Sequence, residues 1–276
     1  MTSLIPYVAS IAGATCYGFA SILEQIGAKK EDSLKTINPL HLISLFKQGS
    51  YFLGILLDII GWLFFLVAVR SLPLFLVQSF IALSILVSAL LDRYWLKHPI
   101  KTIEKFAITS VVIGVSILSI VAKPGSAALT TDLVKWLIVI SPLIIAIIGV
   151  IVLRLKNNSF NSAIVALMAG LAFGGTSVVT RIIVFSDIDK VLVQGLLAIS
   201  LIIYGVLAIM FLSIALQREK VNRVNSVVLA SEVIAPSLIG ILILGDSVRN
   251  GLWLVMFIGL AFVSFGALLT SSSKSK

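Results

Sequence analysis

The sequence predicts an all-α polytopic membrane protein of nine transmembrane helices, in which two inverted four-helix repeats are joined by a linking helix. Three observations lead there. Apolar residues make up 59% of the 276 positions and charged residues only 12%, with a mean hydropathy of +1.14. A soluble domain carries about 25% charged residues, and surface grows too fast with size for a water-soluble fold to hide this much apolar side chain. The apolar residues fall in nine runs close to 20 residues long, the length that crosses a hydrocarbon core of about 30 Å as a helix. They do not alternate with polar residues as barrel strands would. Finally, two of these runs recur later in the chain.

The runs are 4–26, 51–69, 72–91, 106–122, 134–153, 163–185, 191–216, 224–244 and 252–270. The first has no Lys or Arg before it and is longer than the apolar region of a cleaved signal peptide, so it reads as a retained span. The longest connection, 27–50, carries Lys29, Lys30, Glu31 and Asp32; the others are short, and no extramembrane domain fits. Nine spans put the termini on opposite sides. One side then receives fifteen of the 21 Lys and Arg residues, among them Lys29, Lys47, Arg93, Lys105, Arg154 and Arg218. The other receives six: Arg70, Lys123, Lys135, Arg181, Lys190 and Arg249. The basic side is expected to be cytoplasmic, leaving the N-terminus outside and the C-terminus inside the plasma membrane.

The repeat is legible in two places. Val8-Ala9-Ser10-Ile11-Ala12-Gly13 resembles Val165-Ala166-Leu167-Met168-Ala169-Gly170, and Gly18 matches Gly175 at the same offset. Ala68, Val77, Ser79 and Ser84 align with Ala215, Val224, Ser226 and Ser231, and Gln78 with Asn225. The implied units are residues 1–125, a linking helix in 126–157, and an upside-down second repeat in 158–276. Inverted repeats around a midplane site are a working architecture of secondary transporters. Gly170 and Gly174 form a GxxxG pair that lets helix backbones approach closely, whether the surface is static or moves.

Glu232 is the leading site residue. It lies about 12–13 Å into the eighth run at 1.5 Å per residue, where a charge costs at least about 2.5–3.5 kcal/mol. A cation or proton offsets that cost at a functional site; a protonated acid bonded to a neighbouring helix does so in a merely structural one. Pro236 leaves the Glu232 carbonyl without its helical donor, and Ser231 and Asn225 add polar groups. Asp58 is the second candidate, as a ligand or as a side chain reaching interfacial water. Glu232 and Asp58 would also be the metal ligands if the solute is a divalent cation. Gln78 and Tyr204 are candidates to line a cavity, as are Tyr17 and Cys16, although aromatic residues in helices mostly pack. Glu24 and Arg181, near the ends of their runs, read as interfacial.

Other chemistries find no support in the chain. There is no Gly-Lys dipeptide and so no P-loop, no His-Glu-x-x-His, and His41 and His98 fall in loops. Cys16 is the only cysteine. No cofactor and no enzymatic activity are expected, and the net charge of +9 has no soluble face on which to bind nucleic acid.

Leu244-Gly245-Asp246 is similar to the Leu-Gly-acid sequence with which repeats of the drug/metabolite transporter superfamily, including its EamA-like members, often end. Residues 82–91, Ala-Leu-Ser-Ile-Leu-Val-Ser-Ala-Leu-Leu, resemble the third helix of the NIPA-type magnesium transporters, and Pro73 falls where that branch also has proline. The likeness covers the chain in layout and is close around residues 72–97. It implies nine helices, an external N-terminus and Mg²⁺ as solute. The chain departs from the branch where a second-helix glutamate aligns with Trp62, one turn from Asp58, and a third-helix proline aligns with Ser79. The expectation is a secondary transporter of a small solute, a divalent cation such as magnesium or an organic metabolite or drug, working by alternating access. Its partners are the bilayer and the solute, and a homodimer is compatible with the sequence. A non-transporting membrane scaffold is the alternative.

Overall fold

A computed structural model describes residues 4–29, 48–95, 97, 99–125, 131–155, 158–185, 191–219 and 221–273. Its elements are α1 (Ile5–Lys29), α2 (Gly49–Val69), α3 (Leu74–Ala82), α4 (Ser84–Trp95), α5 (Thr102–Val121), β1 (Ala122–Lys123), α6 (Asp132–Arg154), α7 (Ser159–Phe185), α8 (Val191–Arg218), α9 (Val221–Leu242), β2 (Ser247–Val248) and α10 (Trp253–Ser273). Seven stretches are long and apolar enough to cross a membrane, counting α3 and α4 as one, and shorter apolar helices lie at Val227–Leu242 and Trp253–Leu269. The chain is thus an all-α protein of membrane-spanning character. Large apolar side chains stand exposed along whole helix faces, as at Leu143, Ile144, Ile147 and Ile151 of α6. Such faces are stable only against hydrocarbon.

The third apolar run forms one span, Leu74–Trp95, as the sequence predicts, with a local distortion at Leu83 that divides α3 from α4. Leu83 keeps right-handed helical dihedrals, and its N–H reaches the carbonyls of Ile81 and Phe80 in a tightened turn. One turn earlier the Ser79 hydroxyl donates to the Phe75 carbonyl at 2.7 Å, the back-bonding that bends helices. The two halves differ in setting. In α3 every residue but Ile81 is buried, while α4 has no fully buried residue. The half-helix α3 is therefore a plug, packed against α1, α2, α5, α9 and α10.

Helix packing follows the small residues. A Cβ on Gly13 would lie 3.2 Å from the Gly61 carbonyl, so α1 and α2 nearly touch through their backbones. The same holds for α5 and α10, where a Cβ on Gly114 would sit 2.7 Å from the Gly259 carbonyl. On α7, added Cβ atoms at Gly170 and Gly174 would meet Ser231 and Pro236 of α9. The GxxxG pair is thus the contact line between α7 and α9. At the face where α1 begins, β1 and β2 pair antiparallel, Ala122 opposite Val248 and Lys123 opposite Ser247. The Arg249 N–H donates to Val121 there at 2.9 Å.

Candidate functional site

A cavity of about 450 Å³ opens among α1, α2, α3, α7 and α9. Two carboxylates line it, Asp58 from α2 and Glu232 from α9. They are 174 positions apart in sequence and stand out as acids in apolar runs. Tyr17, Trp62, Phe65 and Phe173 supply aromatic lining, and Thr176 and Ser177 supply hydroxyls. The volume falls within the roughly 300–1,000 Å³ typical of small-molecule sites.

The two acids are held differently. Glu232 has no hydrogen-bond or ion-pair partner among the described residues. Its helix is fixed against α7 by the glycine pair, where a Cβ on Gly174 would lie 2.9 Å from Pro236 Cδ and 3.5 Å from the Glu232 carbonyl. Pro236 offers that carbonyl no N–H, so a glycine faces the place where the helix lacks its bond. Asp58 is paired: its carboxyl group shares a side-chain hydrogen bond with that of Glu24 on α1. Gly54, one turn from Asp58, makes room for Glu24, since a Cβ there would lie 2.6 Å from Glu24 Cγ. Glu24, which the sequence suggests is interfacial, is thus tied to a cavity residue.

Gln78, Ser231 and Tyr204 lie outside the cavity wall. Gln78 is 0% exposed within α3, with neither amide atom hydrogen-bonded among the described residues; Ile81, three residues on, is the α3 residue that lines the cavity. The Ser231 hydroxyl donates to the Val227 and Val228 carbonyls at 2.7 and 3.0 Å, against Gly170. Tyr204 shares a 2.5 Å hydrogen bond with Ser141 of α6, its ring against Gly175. It ties α6 and α7 to α8. Tyr204→Phe is accordingly expected to lower stability by about 0.5–1.5 kcal/mol without altering solute binding, checked by thermal melting and binding on the same sample. His41, His98 and the side chain of Asn225 lie outside the described residues.

Arg181, read from the sequence as interfacial, is buried within the protein. It is 1% exposed, and its Nη2 donates to Asp246 Oδ1 at 2.5 Å. Nη1 donates to the carbonyls of Val69, at 3.1 Å, and Leu72, at 2.5 Å. Asp246 Oδ2 accepts from the Leu74 N–H. A buried guanidinium is tolerated because carboxylate and carbonyls replace its water. Burial pushes the Asp246 carboxyl above its ordinary range, against the opposing pull of Arg181.

A metal ion would find Asp58, Glu232 and nearby oxygen atoms, but no cluster of three or more His, Cys, Asp or Glu suited to an ion occurs among the described residues. An aromatic wall with two acids suits a different guest. The faces of Trp62 and Tyr17 attract positive charge while their bodies cover apolar surface. No family model, no curated protein and no solved structure matches this chain.

Proposed function

We propose that the protein is a secondary transporter that carries a small organic cation through the bilayer by alternating access. The observation that carries this reading is the meeting of Asp58 and Glu232 in one aromatic-lined cavity. An unpartnered acid beside apolar walls is costly when empty and favourable when a cation sits against it. A guest with an apolar body and one positive charge satisfies walls and acids together.

In this reading residues 1–125 and 158–276 are the two inverted repeats, and α6 is the linking helix. The packing supports it: α2 lies on α1 as α8 lies on α7, and α4 lies on α1 as α9 lies on α7. Asp58 then belongs to the first repeat and Glu232 to the second, so a guest bridges the parts that rock. The basic side of the chain is cytoplasmic, with the N-terminus outside.

Mg²⁺, the solute implied by the NIPA likeness, is the second reading. The Glu24 carboxyl behind Asp58 favours it, because it adds oxygen close to a hydrated ion, and Mg²⁺ keeps several of its waters. Purified protein in liposomes separates the two, with uptake of tetraethylammonium and of Mg²⁺ measured in parallel. Organic-cation uptake that Mg²⁺ does not compete away supports the leading reading, Mg²⁺ uptake alone supports the second, and no flux of either refutes transport of cations. Trp62→Leu gives a further check. It removes a cation–π face worth ~0.5–2 kcal/mol, so the apparent affinity for tetraethylammonium is expected to fall up to about thirtyfold while Mg²⁺ uptake is unchanged.

A further inference from the structure

The cavity is closed toward the face where α1 begins. Between it and that face the plug α3 is buried, and among the described residues a void of about 10 Å³ lies between Gly13, Tyr17, Phe65, Val77 and Ile81. The outermost layer of this closure is the Arg181–Asp246 pair. Asp246 also lines a small pocket of about 80 Å³ on that face, with Lys123, Gly245 and Ser247. From that side the pocket therefore reaches the pair itself, at Asp246.

We propose that Arg181 and Asp246 are a gate: they clamp the second repeat onto the turn at Val69–Leu74 of the first, and must release it before the cavity can open to this face. The proposal rests on the alternating-access reading. Four bonds of the clamp involve these two side chains, and three of them cross between the repeats, to Val69, Leu72 and Leu74, beside the β1–β2 pairing that joins the repeats at the same face. Such a seam can reopen in a way that an apolar one cannot. The carbonyls, the amide and both charges have water as an alternative partner, and the attraction within a buried pair is largely offset by the water it gave up. Closed and open arrangements can then lie close in free energy, as a switching element requires.

The repeat adds an independent argument. Arg181 aligns with Glu24 in the match that joins Val8 to Val165. Glu24, whose symmetry-related place is the opposite face, bonds to Asp58 of its own repeat rather than across to the second. Among the described residues, then, the clamp is made at the face where α1 begins and has no counterpart at Glu24, the asymmetry expected of a transporter closed on one side.

Accessibility tests this without reference to flux. In the full-length Cys16→Ser protein, a Thr176→Cys substitution places a thiol on the cavity wall. Its modification by an impermeant thiosulfonate reagent, applied from the α1-start side of proteoliposomes, reports opening at that face. Asp246→Asn weakens the clamp by removing a charge. Gly240→Ala weakens it with both charges kept, because the added methyl would collide with Asp246 Oδ2 and lie 3.0 Å from Leu74 Cβ. Each variant is expected to speed labelling by at least about tenfold, as a shift from a minor to a substantial open population does. Unchanged rates in monodisperse variants would overturn the gate. Failure of both variants to fold would also overturn it, by assigning the pair to folding. Faster labelling in a protein that moves neither tetraethylammonium nor Mg²⁺ would support the gate and refute the transport reading instead.

Discussion

Glu232→Gln is expected to cut solute flux by at least about tenfold while the protein still inserts, folds and purifies as a single species. The substitution keeps size and shape and removes the charge. A contact to a charged group is worth ~1.5–3 kcal/mol, and about 1.4 kcal/mol is a factor of ten, so loss of this one interaction suffices. Folding should be spared because Glu232 makes no bond to the rest of the protein among the described residues. Neutralising it even removes the expense of an unpaired charge in an apolar setting. A structural acid bonded to a neighbouring helix would show the reverse pattern, with lower stability and intact flux. Asp58→Asn is the informative companion. Asp58 is bonded to Glu24, so that variant should alter both flux and stability. Flux assays and melting curves on the two variants separate the roles, and normal flux through Glu232→Gln would remove this residue from the site.

The helices and both cavity acids are legible in the sequence for the same reason. Burial in hydrocarbon forces long apolar runs, and a charge within such a run is conspicuous. What is not legible depends on contacts across the chain. The aromatic wall gives no signal, because Trp62, Phe65 and Phe173 are ordinary residues for a membrane helix, and only the approach of α2 to α7 and α9 makes them a wall. Arg181 lies near the end of a run, where a snorkelling arginine is the common case; its partner is 65 positions away. The distortion at Leu83 is marked by neither glycine nor proline, so periodicity alone carries the helix through it. Tyr204 stands out as a polar aromatic in mid-helix, but its partner, Ser141, lies 63 positions away on α6 and gives no signal in the sequence.

Gly170→Leu is expected to have the largest effect on the fold. A Cβ at this position would collide with Ser231 Oγ and with the Val228 carbonyl, and would lie 3.0 Å from Val228 Cα. Two of these obstacles are backbone atoms, which cannot rotate aside as the end of a side chain can. The helices α7 and α9 must then separate. Overpacking of this kind costs about 1–3 kcal/mol and sometimes more, and in lipid no hydrophobic gain offsets the loosened packing, because helix association there relies on close approach. Gly195→Leu is the matching control, since a Cβ there meets nothing within 4 Å on exposed α8 surface. A clearly lower melting temperature for Gly170→Leu, with Gly195→Leu unchanged, is the expected result. The displacement should also reach the site, because Glu232 lies on the helix that moves, one residue beyond Ser231. Tetraethylammonium binding should therefore weaken even in the fraction of Gly170→Leu that stays folded. If that fraction binds as the parent does, the glycine contact line supports the fold but does not position the acid.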